Sequence, residues 1–323
     1  MRVVVLGAGG IGGTIGARLH QAGYDVALVA RGAHGETIRR HGLTFVTPEE
    51  QVTLHIPAYS HPDELTWRDD VVVLAAKSQD TEAAARDLVA AAGPVPVVSA
   101  QNGVANERTL ARWFEGVHGM CVMMPTAHLE PGVVQAHSAA ATGILDLGRY
   151  PEGTDRVDEE VAAALRASRF ECVARPDIMR WKYRKLLANL GNAVQALCGA
   201  VSDTDEAAGE VLARLRAEAE AVLAAAGIDP VTQAEDEQRR GDHLQLREIS
   251  GRSRAGGSTW QSLARGSGVE TDFLNGEIAL LGRLHGVPTP ANATLQTLMR
   301  EAAVRGAGPG SMKTAELLGA LGR

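Results

Sequence analysis

Gly7-x-Gly9-x-x-Gly12 has the spacing of a turn that brings backbone against a pyrophosphate. Gly7 permits the tight turn, Gly9 lets backbone approach a phosphate, and Gly12 lets a helix pack closely on a strand. Arg31 follows the second apolar run, where NAD-binding folds usually carry an acid for the ribose 2′-hydroxyl. A guanidinium there would pair with a 2′-phosphate, which favours NADPH over NADH; the alternative is a solvated surface arginine. Farther along, Lys185, Asn189 and Asn192 stand four and seven residues apart within one apolar helical pattern. Such spacing puts all three on one stripe of a continuous helix. One ammonium and two carboxamides could hold and protonate a polar substrate, and they could equally be the solvated face of an amphipathic helix.

The elements that must position these groups are legible in outline. Arg2 to Leu6 reads as a strand, Thr14 to Ala22 as a helix stopped by Gly23, and Tyr24 to Arg31 as a second strand. The pattern repeats with a buried parallel strand from Asp70, a helix over 81–92 and a strand from Val95. Further strands are expected over 119–124, 132–137, 142–147 and 171–174. Gly7, Arg31, Lys77 and Asn102 all fall just past the carboxyl ends of strands, where open α/β sheets bind ligands. After Pro176 the reading is nearly all helix: 178–198, 205–226, a stretch after Asp229, 271–285, 291–304 and a short tail. The expected fold is α/β, an N-terminal Rossmann-type dinucleotide-binding domain over 1–176 with a C-terminal all-helical domain over 177–323. The stretch 235–257 reads either as a helix with a loop or as a lid.

Composition narrows the classes of function. The chain has 323 residues, 45% of them hydrophobic, which suffices for two cores. A net charge of -7 argues against a general nucleic-acid surface. Cys121, Cys172 and Cys198 are widely spaced and form no ligand cluster, so no metal and a reducing compartment are expected. No stretch approaches the roughly 20 apolar residues of a membrane span, and the first apolar run is too short for a signal peptide. A cytoplasmic enzyme with a small-molecule partner, without nucleic acid or membrane, is the expectation. There is no G-x-S-x-G elbow for hydrolase chemistry.

Taken in order, the motifs resemble the ketopantoate reductase (2-dehydropantoate 2-reductase) family over nearly the whole chain. The carriers are the glycine turn with Arg31, Lys77 after Val71-Val-Val-Leu-Ala-Ala, Gln101-Asn102-Gly103 and Thr126-Ala127-His128. Lys185-x-x-x-Asn189, Ser258 twelve residues before Glu270, and His285-Gly-Val-Pro-Thr-Pro-Ala-Asn292 complete the set. The resemblance implies NADP(H) as cofactor, a 2-oxo acid as substrate, and Lys185 as the general acid that protonates the developing alkoxide. It implies that Glu270 bonds the substrate hydroxyl or orients the lysine. Asn102, Asn189, Asn192 and Ser258 would hold the substrate; Gly7, Gly9, Gly12, Arg31, Lys77 and Asn102 would hold the cofactor. A homodimer is compatible with it. By residue type alone, Glu270 could be a helix N-terminal acid and Ser258 an N-cap.

Two positions depart from the family pattern. The second helix asparagine usually stands eight residues after the lysine, where this chain has Ala193, with Asn192 one place earlier. The acid that often follows the substrate-binding serine is replaced by Ser262. Both changes fall on substrate-facing elements, which leaves open a same-fold reductase of another carbonyl or imine. A non-catalytic NADP-binding sensor is a third reading, against which Lys185 and Glu270 speak.

Overall fold

The computed structural model describes residues 1–202, 204–249 and 256–322. Two compact units result: Met1–Lys182 with Thr232–Arg254, and Tyr183–Val231 with Ala255–Arg323. The change of pattern expected at 176/177 and the passage between units at 182/183 differ by six residues. The passage falls inside one helix, Ile178–Asn189, and 232–254 joins the first unit.

The first unit opens with β1 (Arg2–Leu6), α1 (Gly10–Gln21), β2 (Val26–Val29) and α2 (Gly32–His41). Then come β3 (Leu43–Val46), β4 (Gln51–Leu54), β5 (Ala58–Tyr59), β6 (Asp70–Leu74), α3 (Thr81–Ala92) and β7 (Val97–Ser99). The chain continues through α4 (Asn106–Leu110), β8 (Val117–Met123), β9 (Thr126–Ala127), β10 (Val133–Ala136), β11 (Ile144–Arg149), α5 (Arg156–Ala167) and α6 (Ile178–Asn189). Seven strands form one sheet in the order β11-β8-β7-β6-β1-β2-β5, parallel except for β11, which runs antiparallel to β8. Val3 and Val5 of β1 pack with Ile15 and Leu19 of α1, while Val4 and Leu6 pack with Val72, Leu74 and Leu88 on the other face. Alternation in a strand sends successive side chains to opposite faces, so a sheet covered twice needs an unbroken apolar run. This is a Rossmann-type α/β domain.

A second sheet of four strands, β4-β3-β10-β9, was not legible in the sequence. Its strand β10 lies against α1, where a Cβ on Gly13 would stand 2.8 Å from Val134 Cγ1. The expected strand over 171–174 is reduced to two isolated bridges, Glu171 to Ile144 and Ala174 to Leu147.

The later helices are α7 (Asn192–Cys198), α8 (Glu206–Ala225), α9 (Gln233–Arg240), α10 (Ser258–Ala264), α11 (Asn275–His285), α12 (Pro290–Val304) and α13 (Thr314–Leu321). All but α9 belong to the second unit, which is helical. Its buried polar groups are bonded in a chain: Asn275 Nδ2 donates to Asn292 Oδ1, and Asn292 Nδ2 donates to Glu218 of α8. Glu218 also accepts the backbone N–H groups of Ala291 and Asn292 at the start of α12, where an anion meets the positive end of the helix dipole.

The stretch 235–257 divides. Its first part is α9, capped by a reciprocal Thr232–Glu235 box. Extended chain follows, in which Ala139 N and Ala141 N donate to the carbonyls of Gln245 and His243. Residues 250–255 lie outside the described residues. Arg239 of α9 donates twice to the buried carboxylate of Asp146 in β11, at 2.8 Å each, and Arg175 donates to the same carboxylate at 2.6 Å. None of the described helices is long and apolar enough to cross a membrane.

Candidate active site

The glycine turn fits a dinucleotide on geometric grounds. Gly7 has φ +103°, which strains any L side chain, and a Cβ there would meet Ala76 N at 2.7 Å. Gly12 is buried, and a Cβ would press on Val5 Cγ1 at 2.8 Å, so α1 could not lie this close to β1 with any other residue. Around Gly9 the nearest foreign atom to a Cβ is His128 Cδ2 at 4.0 Å, which leaves the crest of the turn open. No side chain caps α1 and no acid stands in its first turn. Uncapped N–H groups at the positive end of a helix are a ready seat for phosphate.

Two histidines wall this turn. Gly132 N–H donates to His34 Nδ1 at 2.8 Å, so the ring proton sits on Nε2, which donates to the Ala8 carbonyl at 2.7 Å. The His128 ring lies 4.1 Å from that of His34, and its Nδ1 is 3.0 Å from the Val133 carbonyl. His34 carried no motif signal, since its partners lie 26 and 98 residues away.

Arg31 stands at the end of β2 as expected, exposed, at the start of α2. Its Nη2 lies 2.6 Å from Asp87 Oδ2 of α3, and His61 Nε2 lies 3.4 Å from the same oxygen. Lys77 is half-buried just after β6, leading a short 3-10 turn, Ser78–Asp80. Asn102 is half-buried just after β7. Its carbonyl accepts Asn106 Nδ2 at 2.9 Å, while Gln101 Nε2 reaches the Ala76 carbonyl at 2.9 Å and Thr81 Oγ1 at 2.8 Å. The loops after β6 and β7 are thus joined by buried hydrogen bonds.

In the second unit, Lys185 is half-buried and Asn189 is buried, four residues apart on one face of α6. Asn192 does not continue that face as expected. The helix expected over 178–198 is interrupted at Leu190–Gly191, and α7 begins at Asn192. There Leu190 N turns to the Leu187 carbonyl, and Asn275 Nδ2 takes the Leu190 carbonyl at 3.2 Å. Asn192 lines a cavity of about 370 Å³ with Leu187, Val194, Leu215 and Arg216. The seven-residue stripe assumed an unbroken helix, and the interruption removes that spacing argument for Asn192.

Ser258 is exposed and opens α10; Gly257, not Ser258, is its N-cap. Gly257 N donates to Gln195 Oε1 at 2.8 Å, which ties the start of α10 to α7, and a Cβ on Gly257 would stand 3.7 Å from Asn192 Oδ1. Glu270 is half-buried at the head of the 3-10 turn Thr271–Phe273. The two departures, Ala193 and Ser262, are both buried, 2% and 3% exposed.

Among the described residues one group of metal-ligand type comes together: His118, Asp155 and Asp158. Its members are already engaged. His118 Nδ1 bonds Asp158 at 2.8 Å, and Asp155 caps α5 while pairing with Arg149 at 2.9 Å. A cation at Asp155 would face that guanidinium, so the group is read as structural.

Comparison with known proteins agrees with this layout. The family model described as Ketopantoate reductase PanE/ApbA matches residues 3–152, and its C-terminal counterpart matches 177–303. A 2-dehydropantoate 2-reductase of Halobacterium salinarum is 32% identical over 93% of this chain and 98% of its own. The crystal structure of a PanE/ApbA family ketopantoate reductase from Ralstonia eutropha superposes with a TM-score of 0.80 at 29% identity, covering 95% of this chain and 99% of that one. A D-mandelate dehydrogenase solved with NADH and anilino(oxo)acetate shares the fold, with a TM-score of 0.79 at 21% identity over 95% of this chain and 99% of that one.

Proposed function

The chain belongs to the ketopantoate reductase family, and from that premise we propose that it reduces a 2-oxo acid, 2-dehydropantoate first among them, with NADPH. The observation that carries the reading is the open glycine turn at an uncapped helix start. When bound, the cofactor supplies a hydride. Gly7, Gly9 and Gly12 would admit its pyrophosphate, Arg31 its 2′-phosphate, and Lys77 and Asn102 its remaining polar groups. Asn102, Asn189, Asn192 and Ser258 would orient the carboxylate and hydroxyl of the acid. Lys185 would give its proton to the carbonyl oxygen as negative charge grows there, which both stabilises and quenches that charge. Glu270 would bond the substrate hydroxyl or aim the lysine.

Lys185→Ala is expected to lower kcat by about 10²–10⁴-fold, the usual loss for a general acid. NADPH affinity, titrated separately, should stay near the native value. A near-native kcat would remove Lys185 from the role. A second reading rests on Ala193 and Ser262: the substrate is another 2-oxo acid, for instance one bearing a phenyl group. An NADPH-oxidation assay across branched and aromatic 2-oxo acids separates the two. Saturable reduction of ketopantoate at micromolar concentration favours the first; poor turnover of it with normal NADPH binding favours the second.

A further inference from the structure

Lys182 lies on α6 but plays no part in the chemistry above. It is 3% exposed, and its partner Glu107, on α4, is 0% exposed. An ammonium and a carboxylate taken so far from water persist only when paired and hydrogen-bonded. Nζ lies 2.7 Å from Glu107 Oε1, and it donates to the carbonyls of Gln101 at 2.8 Å and Met120 at 3.2 Å. Two of its protons thus go to backbone carbonyls, and Glu107 neutralises the charge as an ion pair. Among the described residues no donor closes a well-directed hydrogen bond on the Glu107 oxygens, so the carboxylate is held by charge alone. Gly119 of β8 makes room for the pair, since a Cβ there would stand 3.3 Å from Lys182 Cδ and 3.5 Å from Glu107 Cγ.

The carbonyl that Lys182 holds precedes Asn102 by one peptide. The next carbonyl, that of Asn102 itself, is held by Asn106 Nδ2 at 2.9 Å. Both sides of the Asn102 backbone are thus anchored by buried side chains, one of them a charge neutralised by a buried counter-ion. We infer that Lys182, neutralised by Glu107, is a positioning residue for the reduction: it fixes the Gln101–Asn102 peptide so that the Asn102 carboxamide is presented in one orientation. The inference rests on the role proposed above for Asn102.

The test is the double variant Lys182→Met/Glu107→Met beside Lys182→Met alone. Replacing both members of a buried pair by apolar side chains of similar volume often preserves stability, whereas removing one strands a charge. The single variant is expected to fold poorly. For the double variant we expect a melting temperature close to native and an NADPH dissociation constant raised by no more than about tenfold, since Asn102 is one cofactor contact among several. Its kcat/KM for the 2-oxo acid should fall at least about tenfold, the mark of a misplaced binding group. Backbone amides over 101–103 should exchange faster. A double variant with native kcat/KM would overturn the inference, as would a loss matched by lower melting. Should the native protein reduce no 2-oxo acid, the functional proposal fails and amide exchange alone decides this one. Faster exchange at 101–103 with unchanged melting supports the clamp, and unchanged exchange overturns it.

Discussion

At the scale of single residues, Arg31 shows what a motif can and cannot reveal. Its position after β2 followed from the sequence; its partner Asp87 did not, because that carboxylate comes from α3, 56 residues away. A 2′-phosphate at the guanidinium would compete with Asp87. The pair is solvent-exposed, 60% and 34% at the side chains, and such pairs hold by only about 0–1 kcal/mol. Asp87→Asn is therefore expected to tighten NADPH up to about fivefold and leave NADH nearly unchanged. Arg31→Ala should weaken NADPH about ten- to a hundredfold with NADH again little affected. Fluorescence titration of both cofactors checks the pair of variants; equal changes for NADPH and NADH would show that neither residue reads the phosphate. The three glycines of the turn were fully legible, since each answers a steric demand local to the β1–α1 unit.

At the scale of elements, strands and helices whose apolar pattern is self-contained were readable, and those defined by distant partners were not. The β3 strand pairs with β10 nearly ninety residues later, and nothing within either segment announces the second sheet. The interruption of α6–α7 depends on Asn275, 85 residues from the carbonyl it takes, and on Leu212 of α8, whose Cδ2 would lie 2.9 Å from a Cβ on Gly191. The apolar period ran through that point unbroken, so the sequence suggested one helix. The same holds for α9, whose polar face conceals that Arg239 is anchored on Asp146. Arg239→Ala removes two charge-assisted bonds from a carboxylate that is 1% exposed, though Arg175 remains. A loss of about 1–3 kcal/mol is expected, and with it a melting temperature lower by several degrees. Amide exchange should quicken over 233–240 and at Ala139 and Ala141. Unchanged exchange there would mean that α9 is held by other contacts.

At the scale of the whole molecule, none of the three cysteines forms a disulfide; Cys121 and Cys172 are buried and Cys198 is half-buried. Burial pushes the Cys198 thiol up to about 11, and that of Cys172 rises for the same reason. A thiol with a raised value stays protonated at neutral pH, and only the thiolate is a good nucleophile. The native protein should therefore show no fast-reacting thiol near pH 7.5 and three in denaturant. Alkylation of Cys198 should quicken about tenfold per pH unit below 11. A rapid native thiol in an Ellman assay would contradict this burial. The path of the chain has a consequence of another kind. The backbone leaves the first unit at Lys182, returns to it for Thr232–Arg254, and leaves again. A recombination event or a chimera that swapped everything after α6 would carry Arg239 away from Asp146 and import a strap shaped for a foreign scaffold. Grafting a new helical half onto this nucleotide-binding half therefore requires three junctions and retention of the returning segment.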